Sequence, residues 1–260
     1  MTTANNKSAP PRLIDKVLLP HTAWMLLLLI PITFLGFYPT YYSTFKAPFI
    51  IHLHAVLMGI WLAMAVTQPW LIKTGQFRWH KFTGRLSYAL IPAILIVGYF
   101  VLRHGYIRVL GGDVIAPPEY YPADAAPMSK AADFVLISSI YFTWLLIYYA
   151  MGIAFRRRTF AHATFMLAAI LTILGPSGDR LIWHIYVALG WNFPAVAEYY
   201  TFFLVFIIFG ALLIYHRKKK LQLWPTITVL AIHLTGVVMY YAMPFHPVWD
   251  KLAAALFSPG

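Results

Sequence analysis

The sequence predicts an all-α membrane protein, a bundle of seven transmembrane helices with the N-terminus inside the cell and the C-terminus outside. Of the 260 residues, 61% are hydrophobic and only 11% are charged, whereas a soluble domain carries about 25% charged residues. Seven apolar runs approach the roughly 20 residues that a helix needs to cross a bilayer. The basic residues fall between these runs and mostly on one side. Composition, run length and charge placement therefore all indicate a protein that crosses the membrane several times.

The seven runs follow one another along a single transmembrane domain, residues 1–260. They cover about 21–41, 49–72, 83–102, 132–155, a fifth run beginning near 160, 199–215 and 223–241. The fifth run meets Gly175-Pro176, so we expect a helix break there, near the outer surface. Residues 1–17 are predicted to form a cytoplasmic tail, and residues 104–130 a long outer loop.

The orientation follows from the Lys and Arg residues, which favour the cytoplasmic side of a membrane protein. With the N-terminus inside, the inner side holds most of the 20 basic residues. These are Lys7, Arg12, Lys16, Lys73, Arg78, Lys81, Arg85, Arg156, Arg157, Arg158, Arg217, Lys218, Lys219 and Lys220. The same placement explains the net charge of +12 without nucleic acid, which we do not expect as a partner.

The composition also argues against several classes of function. There are no cysteines, which excludes disulfides and thiolate chemistry. All eight acidic residues are predicted outside the spans or at their ends, and ion-coupled pumps usually need an ionisable group deep in the membrane. A pump or a carboxylate-based antiporter is therefore not expected. The acidic residues are Asp15, Asp113, Glu119, Asp124, Asp133, Asp179, Glu198 and Asp250.

The ten histidines are the most informative residues, because the topology sorts them into layers. His80 and His162 begin two spans that run in the same direction, at the inner side. His52, His54 and His184 lie at the outer side. Histidines near both ends of aromatic-rich helices are typical of haem b sites with two histidine ligands. Each histidine taken alone also fits an ordinary hydrogen-bonded residue at the membrane boundary.

The outer histidines leave three interpretations open. In the first, His54 and His184 bind a haem iron and Arg180 pairs with a haem propionate. In the second, His52, His54, His184 and Asp179 hold zinc or copper, since imidazole and carboxylate ligands suit both metals. In the third, Asp179 and Arg180 only mark the end of a helix.

Three stretches of the chain also carry a family resemblance. They are His54-Ala55-Val56-Leu57-Met58 with Trp61-Leu62 and Gln68-Pro69, His80-Lys81-Phe82-Thr83-Gly84-Arg85, and His162-Ala163-Thr164-Phe165-Met166 with Asp179-Arg180. In order and spacing they resemble an uncharacterised family of bacterial membrane proteins, the domain of unknown function numbered 2306. The resemblance covers residues 49–180 and implies a bacterial inner membrane, but no known activity.

A weaker similarity is to cytochrome b561-type proteins, whose histidines near helix ends ligate two haems. That similarity implies ligand roles for His54, His80 and His162. The chain departs from the pattern because its fourth span, 132–155, lacks a histidine, so one haem is easier to fit than two.

Three functional hypotheses result. The leading one is a b-type-cytochrome-like protein that binds haem through paired histidines and passes electrons, to quinone or within a larger respiratory complex. The second is a membrane metalloenzyme with zinc or copper under the outer loop. The third is a cofactor-free accessory subunit of a membrane complex. The sequence identifies no catalytic acid, base or nucleophile, so whether the protein is an enzyme stays open.

Overall fold

A computed structural model describes residues 17–113, 122, 124–191 and 197–259. Every regular element in these ranges is a helix, and seven helical stretches are long and apolar enough to cross a membrane. The all-α, seven-span fold class is confirmed. The helices are α1 (Thr22–Tyr42), α2 (Phe49–Lys73), α3 (Phe77–Leu110), α4 (Pro127–Ala154), α5 (Thr159–Leu171), α6 (Leu174–Ala188), α7 (Ala197–Lys218), α8 (Trp224–Ala242) and α9 (Pro247–Phe257). Helices α5 and α6 together form the fifth span.

Prolines make α1 irregular. The ring of Pro31 crowds the carbonyl of the residue four positions earlier, Leu27, and the chain around Leu27 tightens into a 3₁₀ turn, Leu26–Leu28. Near the other end the helix widens into a π-helical turn, Tyr38–Tyr42, which contains Pro39. The helix still spans its full length, because a bundle can absorb such local changes.

The fifth span is broken, but one turn earlier than the sequence predicts. Helix α5 ends at Leu171 and α6 begins at Leu174, so the break lies at Thr172 and Ile173. The ring of Pro176 crowds the carbonyl of Thr172, four residues earlier, so a regular helix cannot pass through that point. The N–H that Pro176 lacks matters little, because Pro176 lies in the first turn of α6, where N–H groups have no helical partner. The Thr172 hydroxyl bonds instead to the carbonyl oxygen of Ala169, at 2.7 Å.

Helix α3 is longer than the sequence predicts. Its 34 residues correspond to roughly 51 Å, well beyond a hydrocarbon core of about 30 Å. The first part of the predicted loop 104–130 is therefore helical, and α4 begins within its last part, at Pro127. Residues 114–121 and 123 of that loop, and residues 1–16 of the predicted tail, lie outside the described residues.

The helices pack mostly as neighbours along the chain, with some departures. Helix α1 packs against α6, and α8 packs back against α4 and α5 as well as against α7. The fifth span is the most enclosed of the seven, with 67% of its most apolar window buried against 17–44% for the others. It forms the centre of the bundle.

The two ends of the bundle differ in charge. The ends of α2, α4 and α7 and the starts of α3 and α5 carry most of the basic residues, and we call this the basic side. Val17 lies there, because its carbonyl oxygen is 2.7 Å from Nε2 of His216 near the end of α7. Helix α9 packs at the opposite side, on α3 and α4, where Trp249 donates to the carbonyl oxygen of Ala132 at 2.7 Å.

Candidate functional site

Two of the predicted ligand histidines lie together at the basic side. His80 is the fourth residue of α3, and His162 is the fourth residue of α5. Their ring centroids are 6.5 Å apart and the ring planes are 77° to one another. Two imidazoles that share one metal ion from opposite sides have centroids roughly 6 Å apart, since each metal–nitrogen bond is about 2 Å. The pair therefore has the spacing of two ligands of one iron.

The backbone of α4 orients one ring of this pair. Nδ1 of His162 is 2.8 Å from the carbonyl oxygen of Gly152, so Nδ1 carries the proton and donates it. With its Nδ1 proton engaged in this way, the ring has Nε2 left to bind a metal, which is how metal-binding histidines are usually held. The side chain of Met166, one turn after His162, fills the space beside Gly152.

The second ring of the pair lacks such a partner. Nδ1 of His80 is buried and has no hydrogen-bond partner within the described ranges. A buried polar nitrogen without a partner is rare in proteins and calls for an explanation. A ligand in contact with the His80 ring would supply one.

Small and polar residues leave room beside the pair. Gly84 lies one turn after His80, and the nearest side-chain atom to a Cβ placed there would be Oε1 of Gln68, at 3.9 Å. Gln68 in turn donates to the hydroxyl of Thr83 at 2.5 Å, which joins α2 to α3. A flat ring system can therefore approach α3 at Gly84 more closely than at a residue with a side chain.

A buried polar and aromatic layer lies deeper in the bundle, further along α3 and α4 from the basic side. The hydroxyl groups of Ser87 and Tyr149 are 2.8 Å apart, and the ring of Tyr149 meets Trp61 edge to face, with centroids 6.3 Å apart. Nε1 of Trp61 is buried and has no partner among the described residues. The His80–His162 pair thus lies between the basic loops and this aromatic layer.

The histidines of the opposite side are arranged differently. His54 and His184 both interact electrostatically with Arg180, so the structure brings these three predicted residues into one neighbourhood. His52 instead bonds through Nδ1 to the hydroxyl of Tyr41, at 2.8 Å. Among the described residues, which include all four members of the predicted zinc or copper set, no three His, Asp or Glu side chains are placed to share a metal ion.

Asp179 lies within a helix and not at its end. It is inside α6, nine residues before the helix ends at Ala188. Its two carboxylate oxygens accept hydrogen bonds from Tyr141 at 2.7 Å and Thr201 at 2.6 Å. The third interpretation, in which Asp179 and Arg180 only mark the end of a helix, is thus wrong, because α6 continues to Ala188.

A narrow cavity lies beside these groups. Tyr141 and Thr201 line it on one side, and His233 on another. His233 is only 3% exposed, lies 3.3 Å from the carbonyl oxygen of Phe202 and packs on the ring of Trp144 at 4.5 Å. A polar group this deep in the bundle needs a partner, and the backbone of α7 provides it.

Sequence reasoning missed several of these features. The sequence cannot show that His162 bonds to the carbonyl of Gly152, because every residue has a carbonyl group. The contacts of Trp61 with Tyr149 join α2 to α4, and hydropathy does not say which helices are neighbours. Tyr141 and Thr201 could have been suspected only as polar groups within reach of Asp179.

A scan against protein-family models, a search of the curated proteins and a search of the solved structures each found no match to this chain.

Proposed function

We propose that the protein is a haem-binding electron-transfer protein of the bacterial inner membrane, with His80 and His162 as the two axial ligands. The observation that carries this proposal is the 6.5 Å separation of the two rings on helices that enter the bundle at the same side. A haem supplies one-electron chemistry whose potential its surroundings tune.

The chain's own groups fit a haem at this pair. The carbonyl of Gly152 holds His162 with its Nε2 free, and hydrogen bonding at the other nitrogen increases the basicity of a ligating imidazole. Nδ1 of His80 is buried without a partner among the described residues. Gly84 leaves space beside α3. An electron-rich ligand pair of this kind favours the oxidised iron, which carries more positive charge.

The basic residues next to the pair suit the acidic edge of a haem. Lys81 interacts electrostatically with His80, and Arg156, Arg157 and Arg158 lie in the exposed loop just before α5. Haem propionates are carboxylates, and Arg and Lys side chains form charge-assisted hydrogen bonds with carboxylates. The propionates would therefore face the basic side, and the apolar edge of the ring would face the aromatic layer.

The electron partner of such a site lies in or at the membrane. A quinone dissolved in the bilayer, or another subunit of a respiratory complex, would be a suitable electron partner. The exposed aromatic residues of α3 next to His80, Trp79 (57% exposed) and Phe82 (55% exposed), offer an apolar surface for either partner.

The test is a visible spectrum of the protein purified from haem-replete cells. We expect a Soret band and, on reduction, a sharp α-band, both largely lost in His80→Ala and in His162→Ala. The matched control is His104→Ala, which removes a histidine from the opposite end of α3 and should leave the spectrum unchanged.

A second variant guards against loss of folding. His80→Gly opens space for free imidazole, so added imidazole should restore the low-spin spectrum. Absence of any Soret band in the wild-type protein would contradict the proposal. So would a Soret band that survives both substitutions but disappears in His54→Ala or His184→Ala, which would move the haem to the opposite side.

A further inference from the structure

Arg180 carries a positive charge within a membrane span and forms no ion pair with any residue that the structure describes. The ion pair found in the described ranges is Arg108 with Asp113, where α3 ends. Asp179, the neighbour of Arg180, directs both carboxylate oxygens to hydroxyl groups instead. A charged side chain inside a span is costly and usually serves a function.

The contacts of Arg180 with the described residues hold it in place but leave most of its hydrogen-bonding capacity unused. One terminal nitrogen donates to the carbonyl oxygen of Pro176 at 2.8 Å, and the guanidinium lies 4.8 Å from the ring centre of Phe37. An arginine has five N–H donors in a planar fork. The remaining donors suit a group with several oxygen acceptors.

Two imidazole nitrogens near Arg180 also lack a partner. Nδ1 of His54 and Nε2 of His184 have no hydrogen bond to the described residues, and both rings interact electrostatically with Arg180. His184 lies one turn after Arg180 and against the backbone of Gly36 in α1. Ring nitrogens from α2 and α6 thus lie near Arg180, which also interacts electrostatically with the acidic side chains of Asp179 and Glu198.

The side chain of Arg180 is exposed on α6, whereas the unpartnered nitrogens of His54 and His184 are buried. The two helices α1 and α6 also expose large side chains to the lipid, among them Phe34 (48%), Tyr38 (49%) and Ile185 (46%). His54 lies five residues after the start of α2, about 8 Å along the helix. The cluster is therefore close to the level where lipid head groups meet the hydrocarbon core.

We propose that Arg180, with His54 and His184 beside it, binds the phosphate of an anionic phospholipid from the leaflet opposite the basic loops. A phosphate offers several acceptor oxygens and forms bidentate hydrogen bonds with arginine. The neighbouring apolar surface of α1 and α6 receives the acyl chains. The guanidinium of Arg180 stays charged at all physiological pH values, so a head group with a net negative charge is favoured over a zwitterionic one.

The experiment is native mass spectrometry of the full-length protein in nanodiscs made from equal amounts of phosphatidylglycerol and phosphatidylcholine. We expect the wild-type protein to retain one phosphatidylglycerol. Arg180→Gln should weaken this retention by roughly tenfold or more, because a charge-assisted hydrogen bond is lost. Arg180→Lys, which keeps the charge but not the planar fork, should retain an intermediate amount.

The matched control is Arg103→Gln, which removes an arginine of α3 whose side chain bonds to the carbonyl oxygen of Ser258 at 3.4 Å. It should retain the lipid as the wild type does, and equal loss in both Gln variants would overturn the proposal. Retention of a quinone or of phosphatidylcholine at the Arg180-dependent site would also overturn it. So would full displacement of the lipid by millimolar inorganic phosphate, which would indicate a site for free anions. The haem spectrum of Arg180→Gln separates this proposal from the proposed function, since it should be unchanged.

Discussion

At the scale of single residues, the histidines differ in whether the protein already satisfies their ring nitrogens. His216 is fully buried and uses both nitrogens, one on Val17 at 2.7 Å and the other on Thr226 at 3.1 Å. His233 bonds to a backbone carbonyl. His80 and His54 each keep a buried nitrogen without a partner among the described residues. The rings with an unpartnered nitrogen are therefore the candidates for ligand binding. A buried ring whose two nitrogens are both bonded, such as that of His216, is not.

The hydrogen bond from Tyr141 to Asp179 is expected to contribute to stability, because it satisfies a carboxylate inside a membrane span. Tyr141→Phe removes the donor to Oδ2 of Asp179 and should lower the free energy of unfolding by about 1–3 kcal/mol. Thermal unfolding in mild detergent measures the effect. The control is Tyr99→Phe, whose hydroxyl bonds to the carbonyl of Leu256 at the surface and should cost less. Equal effects of the two substitutions would argue against a special role for Asp179.

At the scale of helices, the first and fifth spans depend on each other. Gly36 of α1 lies so close to α6 that a Cβ added there would collide with the carbonyl oxygen of Ser177. Thr33, one turn earlier, shares a hydrogen bond of 3.2 Å with the hydroxyl of Ser177. Close approach through small residues is a common means of helix association in membranes. The contact holds α1 against the broken span.

The crowding at Gly36 and the open space at Gly59 predict different effects for the two Gly→Ala substitutions. Gly36→Ala should separate α1 from α6 and cost about 1–3 kcal/mol through overpacking. Gly59→Ala should be neutral or slightly stabilising, since no heavy atom lies within 4 Å of the added methyl group and alanine favours a helix. Thermal unfolding of both variants in the same detergent tests this. A Gly36→Ala protein as stable as Gly59→Ala would contradict the tight packing.

At the scale of the whole molecule, the described chain begins and ends on opposite sides of the bundle. Val17 contacts α7 at the basic side, and α9 lies across the opposite ends of α3 and α4. An odd number of spans requires this arrangement. Since Lys and Arg favour the cytoplasm, the basic side should face inward.

The absence of cysteine makes this orientation easy to test. Single substitutions at exposed positions, Thr74→Cys at the basic side and Ala126→Cys at the opposite side, provide two labelling sites. A membrane-impermeant maleimide added to intact spheroplasts should label Ala126→Cys at once, and Thr74→Cys only after lysis. The reverse pattern would show that the bundle is inserted the other way round.

The sequence predicted the large-scale features well because they depend on composition. Run length and charge placement gave seven spans in the right positions. The break in the fifth span was predicted one turn late, because proline acts on the carbonyl four residues earlier. The end of α3 was predicted eight residues too early, because Arg103 and Arg108 resemble loop residues although the helix continues beyond the hydrocarbon core.

The sequence predicted the members of the candidate site but not their grouping. His80 and His162 were placed at the same depth by topology alone, and the structure adds that their rings are 6.5 Å apart. Hydropathy could not show that His52 turns to Tyr41, or that Asp179 is held by Tyr141. Such choices depend on which helices are neighbours and on how each helix is rotated, and the periodicity of an almost uniformly apolar helix does not encode its rotation.

The most direct test of the central proposal is the low-temperature electron paramagnetic resonance spectrum of the oxidised wild-type protein. The ring planes of His80 and His162 are 77° apart, and nearly perpendicular axial imidazoles give ferric haem a strongly anisotropic low-spin signal. We predict that signal, and its loss in His162→Ala. A haem-replete preparation without a low-spin ferric signal, or one whose signal is unchanged in His80→Ala and His162→Ala, would contradict the proposal.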